Sequence, residues 1–364
     1  MRRRSATGSR VLIAGLAPPR RGAPLRSWPR PYALASVESV HTIDWVDGSI
    51  EIIDQTALPS AERRIRLSTV DELVDAIVRL AVRGAPALGV AGALGVALAA
   101  RRYPADQEAL ADAVQRIATA RPTAVNLARG VRRAAERLPD GPDAVLAEAL
   151  ALHAEEVAAS KAMAVRGAEL IGELCAVPAP RVLTHCNTGG LATVTGGTAL
   201  GVIAELHRRG RLGGVVASET RPLLQGARLT AWELGRLGIP YRIAVDGAGP
   251  FLMARGEVDA VVLGADRVCA NGDVVNKVGT YAHALGAARA GIPFVVVAPE
   301  STVDSSTPTG ADVEIEDRDA AEVLSFGGTD VAPGGAAAAN PAFDVTPADL
   351  VTAIVTDHRI ITPH

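Results

Sequence analysis

The segment RVLTHCNTGG (181–190) closes a short apolar run with His185 and Cys186 and then turns through small residues. A thiol placed where a strand gives way to a helix can serve as a nucleophile or a proton carrier. Neighbouring glycines allow close ligand approach, and a helix N-terminus lowers a thiol pKa. The same position also suits a cysteine that is only a small buried hydrophobe. Two more polar residues end apolar runs downstream, Glu219 in GVVASE and Asp266 in DAVVLGAD. Strand ends converging on one rim would bring Cys186, Glu219 and Asp266 together as an active-site arrangement. Taken alone, Asp266 is as readily a loop-capping carboxylate. His185 should face away from Cys186, since successive strand residues alternate. A nucleophilic pair of these two is therefore disfavoured, and His185 reads as structural.

The cations carry a second signal. Of the 37 Lys plus Arg residues only Lys161 and Lys277 are lysines, which leaves 35 arginines. Lys161 lies inside a helical pattern and reads as incidental. Asn276 and Lys277 follow a turn at Asn271-Gly272-Asp273 and precede a helix, a place where an ammonium and backbone N–H groups suit an anion. VRGAPALG (82–89) sets Arg83 before a Gly84-Ala85-Pro86 turn that opens a helix, and ARPTAVNL (120–127) sets Arg121 before Pro122. Two arginines at tight turns suit a phosphate, though in so arginine-rich a chain each is also an ordinary surface cation. GGTALG (196–201) does not fit G-x-G-x-x-G, and its glycines are expected inside a helix for close packing. The chain contains no Walker motif, H-E-x-x-H or G-x-S-x-G.

The elements that must hold these residues fall into two kinds. HTIDWVDGSIEII (41–53) is a hairpin pattern around Asp47-Gly48, and STVDELVDAIVRLAV (68–82) is an amphipathic helix with Thr69 and Glu72 spaced as a capping box. Helical patterns follow over 86–102, 105–119, 124–138 and 142–175. After Pro178, apolar β-branched runs alternate with helices: RVLTHC, GVVASE, YRIAVDG, DAVVLGAD and PFVVVAP. That alternation predicts parallel βαβ units buried on both faces. The expected fold class is α/β, a small N-terminal β-hairpin plus helical domain followed by a Rossmann-like parallel-sheet domain. The expected boundaries are 36–145 and 146–364, although the helix over 142–175 fits either domain. A ligand should sit at the carboxyl ends of the strands, where the strand order reverses. Residues 324–340 read as a Gly/Ala-rich loop and 346–356 as a last helix. Residues 1–35 carry eight arginines and no acid, which reads as a disordered extension or a start codon placed too early.

The whole chain narrows the function classes. Its 364 residues are 48% hydrophobic and 21% charged, an ordinary globular composition, and the net charge of −3 gives no basic surplus for nucleic acid. The apolar run APALGVAGALGVALAA (85–100) is short for a membrane span and reads as a packed core helix. Three cysteines without a C-x-x-C pair argue against a disulfide framework or structural zinc, and for a reducing, cytoplasmic setting.

Together these segments resemble the methylthioribose-1-phosphate isomerase family, related in turn to ribose-1,5-bisphosphate isomerases and to regulatory subunits of a translation-initiation exchange factor. The likeness runs over about residues 40–362. It is carried by HTIDW, VRGAPALG, RPTAVNL, THCNTGG, GTALGVI, ETRPLLQGARLTAWEL, GADRVCANGDVVNKVGTY and NPAFDVTP. It implies Cys186 and Asp266 as the catalytic pair and Arg83, Gly84, Ala85, Arg121, Gln225, Asn276 and Lys277 as substrate contacts. It further implies no metal or cofactor, and a homodimer formed through the second domain. Thr188 and Gly190 stand where alanines are expected, so fine substrate preference is open. The implied reaction turns 5-methylthioribose 1-phosphate into 5-methylthioribulose 1-phosphate in methionine salvage. An aldose 1-phosphate has no free anomeric hydroxyl, so an acid must protonate the ring oxygen. That role falls to Asp266, with a pKa raised by burial. Cys186 then either carries the C2 proton through an enol phosphate or handles a hydroxyl proton during a hydride shift. Related readings are an isomerase of ribose 1,5-bisphosphate or a 5-deoxypentose 1-phosphate, and a non-catalytic translation-factor subunit.

Overall fold

The computed structural model describes residues 40–122 and 124–363. The arginine-rich stretch expected as an extension, residues 1–35, lies outside them. Asp47 and Gly48 both take positive φ (50° and 81°), the requirement of a two-residue turn whose twist matches its strands. They join β1 (Ile43–Val46) to β2 (Ser49–Ile53). A third strand, β3 (Arg64–Leu67), pairs antiparallel with β2. The sequence did not announce it, because RIRL shows only two apolar residues between arginines. Ile43, Ile50, Ile52 and Leu67 face the core from this sheet.

The expected capping box opens α1 (Val70–Val78): Thr69 accepts from the Glu72 N–H, and Glu72 accepts from the Thr69 N–H. Four longer helices follow, α2 (Ala85–Arg102), α3 (Gln107–Thr119), α4 (Val125–Ala135) and α5 (Pro142–Leu174). The apolar run of 85–100 is buried from Pro86 to Ala100, as a core helix must be. A Cβ on Gly130 would lie 2.0 Å from the Gly89 carbonyl oxygen, so glycine is what lets α4 approach α2. Helix α5 serves both halves. Val145 and Ala149 join the core of the helical half, while Met163, Ala168 and Ile171 join the core under the large sheet.

The second half alternates as expected: β4 (Arg181–Thr184), α6 (Ala199–Arg208), β5 (Gly214–Ser218), α7 (Ala231–Arg236), β6 (Tyr241–Ala244), α8 (Ala248–Ala254) and β7 (Ala260–Leu263). There follow β8 (Arg267–Cys269), β9 (Val274–Lys277), α9 (Thr280–Ala290), β10 (Phe294–Val297), β11 (Val303–Asp304), α10 (Ala321–Leu324), β12 (Ser325–Phe326) and β13 (Thr329–Asp330). The chain closes with β14 (Phe343–Thr346), β15 (Ala353–Val355) and β16 (Ile360–Ile361). Among the described residues the large sheet has the order β16-β15-β10-β7-β4-β5-β6 and is parallel except for β16. The chain builds outward from β4 through β5 to β6, then returns to lay β7, β10 and β15 on the other side. The strand order thus reverses between β4 and β7.

Three expectations fail in detail. The last helix expected over 346–356 is a single 3-10 turn (Ala348–Leu350) and then strand β15, parallel to β10. AIV is a short apolar run whose periodicity does not separate helix from buried strand. Residues 324–340 are not all loop, since α10 ends there and β12 and β13 pair as a hairpin. Gly196 and Gly197 do not lie inside a helix. They precede α6 with φ of 74° and 88°, and a Cβ on Gly197 would come 2.4 Å from the Thr188 carbonyl oxygen. A separate sheet in the order β11-β8-β9-β14 was also not foreseen, and it carries Asn276 and Lys277 on β9. Among the described residues no helix is long and apolar enough to cross a membrane.

Candidate active site

The crevice opens where the strand order reverses, the place at which an open α/β sheet offers a ligand its strand ends. Cys186 follows β4 and Asp266 follows β7, its direct neighbour. The backbone here is held in unusual shapes. Cys186 has φ of 60°, Thr220 of 65°, Leu224 of 56° and Leu80 of 64°. For residues with a Cβ such angles cost about 1–3 kcal/mol each and persist only where surrounding bonds fix them. At Cys186 those bonds are visible: its N–H donates to Thr220 Oγ1 at 2.9 Å, and its carbonyl accepts from Thr230 Oγ1 at 2.7 Å. Thr230 ends a π-helical turn over Gly226–Thr230, just after Gln225.

Two cavities of about 60 Å³ each share Arg83, Gly84, Cys186 and Asp266 in their walls and are lobes of one crevice. The first is also lined by Ala85, Asn276, Thr188 and Pro299. The second adds Arg121, Gln225, Lys277, Arg318, Leu223 and Phe343. All nine residues singled out as catalytic or substrate-contacting therefore line one wall or the other. Glu219 does not. It follows β5 as expected, but its backbone continues the sheet by bonding Ala244 and it lines neither lobe. A wider lobe of about 360 Å³ adjoins, sharing Gly84, Ala85, Arg121 and Asp266. Its other walls combine Leu88, Pro122, Val275, Val313 and Phe343 with the carboxylates of Asp312, Glu314 and Glu316.

Burial pushes the Cys186 thiol up, with Asp266 adding to the rise and Arg83 and Lys277 opposing it. Burial likewise raises the Asp266 carboxyl, against the pull of Lys277, Arg121 and Arg83. The Asp266 side chain stays open to solvent at the crevice, while the protein packed around it still raises its pKa. Expulsion of water by a bound ligand would push it further in the same direction. Burial lowers the pKa of Arg83, Arg121 and Lys277, each against the attraction of Asp266. Charges of both signs thus face each other across one crevice.

The cations differ in how far they are already satisfied. Lys277 Nζ donates to the Ala342 carbonyl at 2.6 Å and stands 4.5 Å from the centre of the Phe343 ring. Arg83 Nη2 donates to Asn187 Oδ1 at 2.5 Å, while its buried Nε has no protein partner. Gln225 Oε1 is likewise buried without one. Arg318 is tied to Glu316 and Glu322. Asn276 spends its Nδ2 on Thr280 Oγ1 at 2.9 Å. Among the described residues no cluster of three or more His, Cys, Asp or Glu is arranged to hold a metal ion.

His185 is indeed turned away from Cys186. It is buried, with Nδ1 2.7 Å from Ser218 Oγ and Nε2 2.8 Å from the Val278 carbonyl oxygen. Thr188, one of the two departures from the family pattern, reaches the crevice wall, whereas Gly190 does not. Sequence reasoning missed Asn187, Glu233, Arg318 and Phe343. Asn187, Glu233 and Phe343 lie inside recognisable motifs, but nothing about Arg318 sets it apart from 34 other arginines.

A doubly wound sheet with a thiol and a carboxyl group at its switch point, beside a cluster of cations, defines a small-molecule enzyme site for an anionic substrate. The comparisons narrow the class. The profile of the "Initiation factor 2 subunit family" matches residues 81–363. A methylthioribose-1-phosphate isomerase of Anaeromyxobacter sp. (strain K) is 54% identical over 86% of this chain and 91% of its own. A protein of Nocardia farcinica (strain IFM 10152), described as a probable bifunctional methylthioribose-1-phosphate isomerase/methylthioribulose-1-phosphate dehydratase, is 53% identical over 88% of this chain. The match spans only 59% of that longer protein. The 5-methylthioribose 1-phosphate isomerase structure from Pyrococcus horikoshii OT3 superposes with a TM-score of 0.82, at 39% identity over 89% of this chain and 92% of that one. An A. fulgidus structure described as translation initiation factor eIF-2B, subunit delta, gives 0.78 at 42% identity, covering 89% and 96%. The chain belongs to the initiation factor 2 subunit family, among its methylthioribose-1-phosphate isomerase members.

Proposed function

We propose that the protein is an aldose–ketose isomerase that converts 5-methylthioribose 1-phosphate to 5-methylthioribulose 1-phosphate, a step of methionine salvage in the cytoplasm. The observation that carries this reading is the shared wall: Cys186 and Asp266 border the same two lobes together with Arg83. In the balanced reaction Asp266 gives one proton to the ring oxygen as the ring opens. The hydrogen on C2 moves to C1, and Cys186, as the thiolate that Arg83 and Lys277 favour, takes the proton released as C2 becomes a ketone. Return of one proton from the thiol to the Asp266 carboxylate resets both groups. A carboxyl with a raised pKa keeps its proton at a pH where an ordinary one has lost it, and so suits the acid role. Lys277, Arg83 and Arg121, with Gln225, hold the phosphate and the sugar hydroxyls, while Gly84, Ala85 and Asn276 shape the wall.

One lobe gathers Arg83, Arg121, Lys277 and Arg318, whereas the adjoining wider lobe sets Arg121 and Arg267 among apolar walls and the three carboxylates of Asp312, Glu314 and Glu316. That asymmetry suits a substrate with one phosphate and a methylthio end. A second phosphate would meet Asp312, Glu314 and Glu316. The 42% identity to a structure described as a translation-factor subunit favours a second, non-catalytic reading. Turnover of 5-methylthioribose 1-phosphate, ribose 1,5-bisphosphate and a 5-deoxypentose 1-phosphate by the purified protein separates these readings. The expected order puts the methylthio sugar first in kcat/KM and the bisphosphate last. A preference for the bisphosphate would overturn the substrate assignment, and no turnover of any of the three would favour the non-catalytic one. A homodimer belongs to the same proposal. It is supported by exposed apolar residues on one edge of the second half: Ile243 on β6, Phe251 on α8, and Tyr281 and Leu285 on α9.

A further inference from the structure

Asn187, the residue after the thiol, is buried and held at both ends of its amide. Its Oδ1 accepts from Arg83 Nη2 at 2.5 Å. Its Nδ2 donates to Glu233 Oε1 at 2.7 Å and to Thr230 Oγ1 at 3.2 Å. The hydroxyl proton of Thr230 goes to the Cys186 carbonyl, so toward Asn187 its oxygen only accepts. Turning the amide over would set its oxygen against a carboxylate and its NH2 against a guanidinium. One orientation therefore satisfies every partner.

Glu233 anchors that orientation. It is buried on α7, forty-six residues from Asn187, and also accepts the backbone N–H groups of Gly190 and Leu191. A Cβ on Gly189 would come 2.3 Å from Glu233 Oε1, so only glycine leaves the carboxylate its place. A buried carboxylate with three donors and no direct ion pair stabilises the fold little by itself. Its placement makes better sense as the end of a chain of hydrogen bonds that leads to the crevice.

We propose that Glu233 is a positioning residue: its carboxylate fixes the Asn187 amide, and that amide holds the Arg83 guanidinium against Cys186 and Asp266. The arrangement leaves Arg83 Nε, which has no protein partner, for a ligand. The identity of that ligand rests on the isomerase reading, whereas the relay itself does not. Burial pushes Glu233 up to about 7, and Arg83 is among the groups that draw it back toward the charged form.

The discriminating experiment is a double-mutant cycle of Glu233→Gln, which keeps the side-chain shape, and Arg83→Gln, which removes the guanidinium. Gln at 233 cannot accept from Asn187 and from two backbone N–H groups without turning its own NH2 toward a donor. One readout needs no substrate: the rate at which iodoacetamide alkylates the Cys186 peptide, followed by mass spectrometry. The charged groups facing the sulfur are Arg83, Lys277 and Asp266, and Arg83 is the largest that favours the thiolate. Each single variant should slow alkylation, and the double variant should be no slower than Arg83→Gln alone. The second readout is kinetic. For 5-methylthioribose 1-phosphate, kcat/KM should fall about 10- to 100-fold in Glu233→Gln, mostly through KM. That loss should vanish in the Arg83→Gln background. Losses that multiply in both readouts would overturn the relay, because a merely structural Glu233 acts independently of Arg83. Should Glu233→Gln fail to fold, Asn187→Ala completes the same cycle. If the sugar phosphate is not turned over, the alkylation cycle still decides the relay, and the substrate reading falls alone.

Discussion

Cys186 and Asp266 reach the crevice from adjacent strands, and burial raises the pKa of each against the pull of the neighbouring cations. For the acid role of Asp266 the sign is definite. A carboxyl whose pKa is raised holds its proton to a higher pH, so the active form is present below that pKa and is lost as pH rises through it. The alkaline side of the kcat/KM profile should therefore report Asp266 and disappear in Asp266→Asn. Asp266→Asn and Cys186→Ser should each lower turnover by about two to four orders of magnitude. Both substitutions keep side-chain size, so the melting temperature should change little. Full turnover in either variant removes the role assigned to that residue. These two were legible from sequence because unbroken β-branched runs predicted parallel strands, and parallel strands place polar residues at a common rim. Asn187 was in plain view within THCNTGG, but its work depends on Glu233, and no local pattern links positions so far apart. Glu219 looked equivalent to Asp266 by the same rim logic. It fails because β5 lies on the far side of β4 from β7, away from the switch point.

The elements around the crevice are set by a few close backbone approaches. A Cβ on Gly226 would sit 1.7 Å from the Ser218 carbonyl oxygen, so the π-helical turn packs directly against the end of β5. That contact fixes Gln225 on one side of the turn and Thr230 on the other. Gly226→Ala must push the turn away from β5, which should raise KM at least about tenfold through Gln225 and lower the melting temperature, a backbone clash being among the costlier changes. Gly247 makes the control: a Cβ there meets nothing within 4 Å, so Gly247→Ala should leave KM and melting temperature alone. Unchanged KM in Gly226→Ala would show that the turn does not position Gln225. None of this could be read beforehand. GARLT mixes good helix formers (Ala227, Arg228, Leu229) with poor ones (Gly226, Thr230), and whether a segment winds with four- or five-residue hydrogen bonds depends on what its neighbour permits. The capping box of α1 and the turn at Asp47-Gly48 were legible because their chemistry is complete within a few residues. Strand β15 and the sheet of β8, β9, β11 and β14 were not, since short strands declare themselves only by their partners.

At the scale of the molecule, β6 is the last strand of the large sheet on its side, and an uncovered edge invites pairing or aggregation unless something shields it. Here the edge strand carries Arg242, which pairs with Glu257, and beside it a run of exposed apolar residues. Ile243 is 49% exposed, Val245 beyond it 63%, and Phe251 on the following helix 57%. Tyr281 and Leu285 extend the patch onto α9, which packs against α8. Two copies related by a twofold axis would cover the patch with itself, the economical way to close such a surface. None of these residues lines the crevice. Light scattering in solution should therefore give twice the mass of one chain for the natural sequence. Phe251→Asp, which places a charge in the middle of the buried patch, should shift that mass toward a single chain at micromolar concentration, because an unpaired buried charge costs several kcal/mol. KM should move less than in the crevice variants, since the site's cations all come from one chain. A single-chain mass for the natural sequence would dispose of the dimer, and an unchanged double mass in Phe251→Asp would place its interface elsewhere.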